Sequence, residues 1–173
     1  SSDVCSSDLT NTKQLKSYIL NSFNFSQKND WANATNEILN AENKYNEMIE
    51  TEEFDIVGHF DKIKMHNRGR YFSEEDKWYR DYLMETLTLI KEKSLIVEVN
   101  TRGIYKKRSD DFYPSTWILP VMKEMDIPVV ISSDSHKAEE LTLCFNEAEE
   151  ALRTAGYKET VCFRNGEFRY VSL

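Results

Sequence analysis

The chain has 173 residues, of which 40% are hydrophobic, and this length suits one domain with a sizeable buried core. Its 22 basic and 30 acidic residues give a formal net charge of −8, which disfavours nonspecific binding to nucleic acid or to an anionic membrane surface. No apolar run approaches the roughly 18–20 residues of a membrane-spanning helix, and no secretory leader is visible. The cysteines are odd in number and lack metal-like spacing, so we expect a reducing, cytoplasmic compartment.

Residues 1–9 differ in character from the rest of the chain. They nearly repeat Ser-Ser-Asp and show neither a helical nor a strand period. A cloning or assembly scar is the expected explanation, with a native disordered tail as the alternative. We therefore expect the folded part to span residues 10–173 and to begin within a longer protein.

The remaining chain alternates between two hydrophobic periods, one typical of helices and one typical of buried strands. The predicted helices run from Asp30 to about Thr51–Glu53, from Ser73 to about Lys93, from Thr116 to Met125 and from Ala138 to Ala155. The predicted strands are Phe54–His59, Leu95–Val99 and Pro128–Ser132. Pro120 requires a late start or a kink in the third helix. Asn165-Gly166 predicts a tight primed turn in a hairpin of residues 160–171.

Alternating strands and helices are typical of a parallel sheet with crossover helices. In such folds, ligands gather at the carboxyl ends of the strands. This rule selects three loops, at residues 58–61, 98–102 and 132–136.

Two of the three histidines, His59 and His136, follow predicted strand ends, and Asp134 lies two residues before His136. Nitrogen and oxygen donors in this arrangement suit zinc, manganese or iron. The alternative is that each histidine is a packed or capping side chain. His66 lies in a basic loop and is interpreted as a surface residue.

Glu98 lies inside an otherwise apolar strand, where a carboxylate is costly to bury without a partner. It is predicted to face a polar interior or a cation, or to be satisfied by ordinary hydrogen bonds. Arg102 follows at the strand end, and its guanidinium suits a phosphate or carboxylate. The basic run at residues 106–108 is interpreted as a solvated surface.

Other common chemistries lack their motifs. The sequence has no Walker-type glycine loop, no Gly-x-Gly-x-x-Gly and no Gly-x-Ser-x-Gly elbow. Cys144 is expected to be a core residue and not a nucleophile.

Several segments together resemble the histidinol-phosphatases of the PHP (polymerase and histidinol phosphatase) superfamily. They are Phe54-Asp55-Ile56-Val57-Gly58-His59-Phe60-Asp61, Val97-Glu98-Val99-Asn100-Thr101, Tyr113-Pro114-Ser115, and Ile127-Pro128 leading to Ser133-Asp134-Ser135-His136. Their order and spacing agree with the family from about Tyr45 to Leu173. Asp61 receives no role from this resemblance.

The resemblance implies an α/β fold: the C-terminal part of a distorted, incomplete PHP-type (β/α) barrel with a terminal β-hairpin. It implies up to three divalent metal ions (Zn, Mn or Fe), with His59, Asp134 and His136 as ligands. The residues implied to bind substrate are Asn100, Arg102 and Glu98. The implied reaction is metal-dependent hydrolysis of histidinol phosphate to L-histidinol and phosphate in histidine biosynthesis, with a metal-bound water as the only catalytic group.

The sequence also departs from this family. The opening His-x-His motif and the earlier metal-binding histidines and glutamates are absent, and complete members are longer. Residues 10–173 therefore resemble a truncated phosphatase domain, which we expect to have little activity alone. The alternatives are another PHP phosphoesterase or nuclease, or an inactive metal-binding fragment. The expected partner is a small phosphate ester, without nucleic acid or membrane, and the oligomeric state is left open.

Overall fold

The fold comes from a computed structural model that describes residues 31–67, 69 and 71–173. The described residues divide into two compact units, one within residues 31–54 and 67–89 and the other of residues 55–66 and 90–173. The predictions made for residues 1–30, including the leader and the helix start at Asp30, lie outside the described residues. None of the described helices is long and apolar enough to cross a membrane.

Among the described residues, the helices are α1 (Trp31–Thr51), α2 (Lys64–Asn67), α3 (Lys77–Glu92), α4 (Arg102–Tyr105), α5 (Leu119–Glu124) and α6 (Phe145–Thr154), with 3₁₀ turns at Thr116–Ile118 and Ala138–Glu140. The strands are β1 (Ile56–Val57), β2 (Ile96–Asn100), β3 (Val129–Ser132), β4 (Glu159–Arg164) and β5 (Glu167–Ser172). The short helices α2 and α4 have only four residues each, too few to show a helical period in the sequence.

The first unit contains α1 and most of α3. A buried hydrogen bond of 2.8 Å from Thr86 Oγ1 to Asn46 Oδ1 joins the two helices. The predicted helix-start signature is present just before α3, where the backbone N–H of Ser73 donates to Asp76 Oδ2 at 2.8 Å. The helix itself begins at Lys77, because Ser73 and Asp76 form the preceding turn.

The second unit is built on an open parallel sheet in the order β1-β2-β3. The central strand β2 is the most deeply buried, as expected for a parallel strand covered on both faces. The three predicted strands are confirmed, although β1 is shorter than the predicted Phe54–His59. Its early end is explained by His59, whose φ of 35° is incompatible with an extended strand.

The helices after β2 and β3 are more broken than predicted. Pro120 lies in the first turn of α5, which confirms the predicted late start. The predicted single helix from Ala138 to Ala155 is wrong: a 3₁₀ turn is followed by α6, which begins only at Phe145. Cys144 interrupts the helix because its φ of 62° is left-handed.

The chain ends in an antiparallel hairpin of β4 and β5. Asn165 and Gly166 have φ values of 55° and 83°, which confirms the predicted primed turn. Thr160 Oγ1 donates to the carbonyl oxygen of Val129 at 2.8 Å, so a side-chain hydrogen bond attaches the hairpin to β3. The fold class is therefore α/β, with an open parallel sheet and a terminal hairpin.

Candidate functional site

The parallel strands end at one edge of the sheet, and the predicted site residues follow those ends. His59 lies two residues after β1, Asn100 is the last residue of β2, and Asp134 lies two residues after β3. His59 and Asp134 are both left-handed, with φ values of 35° and 46°. Such conformations are uncommon outside glycine and cluster at functional sites. The three residues that the strand-end rule selects therefore lie at the same end of the parallel sheet in this unit.

Glu98 connects the first two strand ends. Its Oε2 accepts a hydrogen bond from the backbone N–H of His59 at 2.9 Å and another from Asn100 Nδ2 at 3.1 Å. These bonds satisfy the carboxylate that the sequence places in an apolar strand. Asn100 Oδ1 in turn accepts from the backbone N–H of Arg102 at 2.9 Å. The substrate-binding roles of Glu98 and Asn100 stay predictions.

Arg102 connects the end of β2 to the loop after β3. Its NH1 donates to the carbonyl oxygen of Asp134 and lies 2.6 Å from His136 Nδ1. Its Nε lies 3.7 Å from Asp134 Oδ2, and its side chain is only 12% exposed. The guanidinium therefore holds Asp134 and His136 together at the strand edge.

Lys62 is a member of this group that sequence reasoning missed. Its Nζ lies 3.9 Å from Asp134 Oδ2, and its backbone N–H donates to the carbonyl oxygen of His59 at 3.0 Å. The signal available in the sequence was its place in the strand-end loop, three residues after His59. A lysine in a polar loop is common, so the residue type alone gave Lys62 no role.

The loop after β3 is fixed from the other side by α4. Tyr105 Oη donates to the carbonyl oxygen of Ser133 at 2.7 Å, and the ammonium of Lys106 pairs with the carboxylate of Glu140. That hydrogen-bonded ion pair lowers the pKa of Glu140. Glu140 Oε2 also accepts the backbone N–H of His136 at 3.3 Å. Part of the basic run that was interpreted as solvated surface thus supports the loop of the candidate site.

The described residues do not by themselves form a closed metal site. Within the described ranges, which leave out the side chain of His66, no group of three or more His, Cys, Asp and Glu side chains is placed to hold a metal ion. His59, Asp134 and His136 have donor types that suit zinc, but Asp134 Oδ2 faces Arg102 and Lys62. Their role as metal ligands stays a prediction.

His59 lies in an environment that favours its neutral form. Burial lowers the pKa of the imidazole below 6.5, and the Lys62 ammonium lowers this pKa further, whereas Glu98 and Asp134 raise it. A neutral imidazole is the form that can bind a metal or accept a proton. Because the unfolded chain takes up this proton at higher pH than the folded chain, stability is expected to fall as the pH drops below 6.5.

We expect the His59 imidazole to titrate below pH 6.5 in an NMR titration of the folded chain. Lys62→Met should move this midpoint upward, because it removes the nearby positive charge. Lys158→Met, at an exposed lysine next to the hairpin, is the matched control and should leave the midpoint in place. A midpoint at or above 6.5, or one unmoved by Lys62→Met, would contradict this electrostatic account.

Comparison with known families gives a match to the PHP domain over residues 8–102, which is more than half of the chain. The matched range contains His59, Lys62, Glu98, Asn100 and Arg102, and it ends before the loop after β3. The match also begins earlier than the resemblance noted from about residue 45. No curated protein gives a significant match.

Two solved structures share the fold. A Listeria monocytogenes protein proposed to be a histidinol phosphatase aligns with a TM-score of 0.58 and 19% identity, covering 68% of this chain and 44% of that one. A histidinol phosphate phosphatase from Lactococcus lactis subsp. lactis Il1403, complexed with zinc, L-histidinol and phosphate, aligns with a TM-score of 0.56 and 24% identity, covering 75% of this chain and 51% of that one. The chain thus spans about half the length of these relatives, and the likeness is one of fold.

Proposed function

The chain belongs to the PHP domain family, and we propose that it contributes to a phosphomonoester hydrolase site that acts on histidinol phosphate. The proposed products are L-histidinol and phosphate. One observation carries the proposal: Arg102 and Lys62 converge on the loop after β3, at the edge of the sheet where ligands of such folds bind.

The two cationic side chains retain donors for a phosphate oxygen. A guanidinium has five N–H donors in a fixed fork, and the contacts of Arg102 with Asp134 and His136 use its Nε and NH1. Lys62 Nζ lies 3.9 Å from Asp134 Oδ2, beyond hydrogen-bond distance, so its three donors also remain suited to an anion. A phosphate monoester placed beside Asp134 can bind both cations.

The proposed reaction is hydrolysis of a phosphate ester. A water oxygen bonds to phosphorus, the bond from phosphorus to the alcohol oxygen breaks, and the alcohol leaves with a proton. Arg102 and Lys62 would orient the phosphate and offset its charge as that bond breaks. The proposal includes zinc, manganese or iron, with further ligands from outside the described set. It also includes a cytoplasmic setting, to which the free thiols of Cys144 and Cys162 are suited.

Histidinol phosphate is proposed as the substrate because the Lactococcus lactis structure is named for that activity and holds L-histidinol and phosphate, and the Listeria monocytogenes protein is proposed to have a similar activity. The net charge of −8 argues against a polynucleotide, whose binding normally uses a basic surface. A small phosphate ester needs only the local cations at the strand ends.

Isothermal titration of the chain with inorganic phosphate and L-histidinol phosphate tests the proposal. We expect both to bind, and Arg102→Met to weaken the binding about tenfold, as the loss of a charge-assisted hydrogen bond of roughly 1.5 kcal/mol implies. Arg153→Met is the matched control, because it removes an equal charge from an exposed arginine that pairs with Glu149 on α6.

Equal losses in the two variants would show a nonspecific charge effect and contradict a phosphate site at Arg102. Tighter binding of a nucleoside monophosphate than of L-histidinol phosphate would favour another PHP phosphoesterase or nuclease. Absence of binding by any phosphate ester would favour the inactive-fragment alternative.

A further inference from the structure

We propose that Asp61, Lys64 and Ser115 are positioning residues, whose buried contacts hold the turn that carries His59 and Lys62 at the strand edge. We call these three residues the latch. The inference rests on the proposed function insofar as this turn supplies a cation to the phosphate site. The resemblance to known phosphatases gave the latch residues no role.

The latch is a buried group of polar side chains that joins two distant loops. Lys64 Nζ lies 2.8 Å from Asp61 Oδ2, and the two side chains are 4% and 0% exposed. Lys64 also donates to Ser115 Oγ, and the backbone N–H of Ser115 donates to Asp61 Oδ2 at 2.9 Å. The ammonium lies 5.3 Å from the centre of the Tyr113 ring. Each partner is thus fixed by at least two contacts.

The latch and Glu98 hold the same turn from two sides. His59 is anchored through its backbone N–H to Glu98, and Asp61 follows two residues later with its anchor at Ser115. The Ser115 loop is itself attached to β2, because Asn100 and Tyr113 exchange backbone hydrogen bonds of 2.8 and 3.2 Å. These contacts therefore join the loop after β1 to β2, β2 to the Ser115 loop, and the Ser115 loop back to the loop after β1.

Lys62 lies inside this doubly anchored turn. The backbone N–H of Lys62 donates to His59, and that of Met65 donates to Lys62, each at 3.0 Å. A shift at either anchor would move the Lys62 ammonium relative to Asp134. Binding groups that are held within a fraction of an ångström need such rigid support. The ion pair of the latch, whose side chains are 4% and 0% exposed, is suited to supply this support from beneath the surface.

Two readouts on the full chain test the latch: the dissociation constant for inorganic phosphate and the hydrogen-exchange rate of the His59 backbone amide. We expect Ser115→Ala to weaken phosphate binding about fivefold and to speed exchange of this amide about tenfold, because Lys64 loses the hydroxyl that helps to hold its ammonium beside Asp61. Ser115→Thr restores the hydroxyl and should return both readouts toward the parent values.

Tyr157→Phe is the control for lost stability, since it removes a buried hydrogen bond of 2.9 Å to the carbonyl oxygen of Ile127 elsewhere in the same unit. It should lower the melting temperature while leaving both readouts within about twofold of the parent. The inference is overturned if Ser115→Ala also leaves both readouts within that range. If Ser115→Ala does not fold, the same two readouts are measured on Lys64→Gln, and the same criterion applies.

The two proposals fail in different ways. If the parent chain binds no phosphate, the proposed function fails, and exchange at the His59 amide still decides whether the latch holds the turn. If the parent binds phosphate and the Ser115 variants do not change either readout, only the latch fails.

Discussion

Phosphate release from histidinol phosphate by this chain alone should be far slower than about 1 s⁻¹, even with added zinc or manganese. The reason is that the described residues bring together no group of three metal-binding side chains. One weakly held metal can still activate water, so a trace rate is expected. Without a second cation beside the phosphate, the transition state loses several kcal/mol of stabilisation. Because about 1.36 kcal/mol corresponds to a tenfold change in rate, the rate should be lower by several hundredfold.

The measurement is a steady-state assay of phosphate release with each metal. Asp134→Asn, purified in the same way, is the control, because any rate that both proteins share comes from a contaminating phosphatase. A parent turnover of about 1 s⁻¹ that Asp134→Asn abolishes would show that the described donors suffice, against our account of the site. Supplying a segment with a His-x-His strand should raise the rate.

Lys64→Met should lower the free energy of unfolding by about 3–5 kcal/mol. The substitution leaves the carboxylate of Asp61, whose side chain is 0% exposed, without its ammonium partner. Removing one charge of a buried ion pair is strongly destabilising, although the backbone N–H of Ser115 still donates to this carboxylate. Replacing both charges, as in Asp61→Leu with Lys64→Met, should cost much less, because no buried charge remains.

Urea denaturation measures these effects in a double-mutant cycle of four proteins: the parent, Lys64→Met, Asp61→Leu and the double variant. Lys123→Met is the matched control, since Lys123 forms an ion pair of the same i,i+3 spacing with Asp126, but its side chain is 40% exposed. That change should cost under about 1 kcal/mol. If Lys64→Met costs no more than Lys123→Met, burial does not strengthen the pair and the latch loses its energetic basis.

The sequence was sufficient to predict the parallel sheet, whereas a ligand site at the carboxyl ends of its strands stays a prediction. Three apolar runs gave the strands, and the strand-end rule led to His59, Asp134 and His136. Glu98 was also marked by its charge in an apolar strand. Its partner could not be foreseen, because that partner is the backbone N–H of His59, and backbone groups carry no sequence signal.

The remaining parts depend on contacts between distant residues. Lys62 acquires its place from Asp134, 72 residues away, and the latch depends on Ser115. The break at Cys144 was missed because amphipathic spacing continues through a left-handed residue. For Lys62 and the latch the decisive interaction is tertiary, so local periodicity could not reveal it.

The bond between Glu98 and position 59 has a consequence for how this site can diverge. The carboxylate holds the main chain and not the imidazole, so this hydrogen bond does not depend on the imidazole of His59. An exchange of His59 would alter the chemistry presented at the sheet edge while its architecture persists. Such separation of scaffold from reactive group lets a lineage try new activities by single substitutions, without first having to evolve another fold.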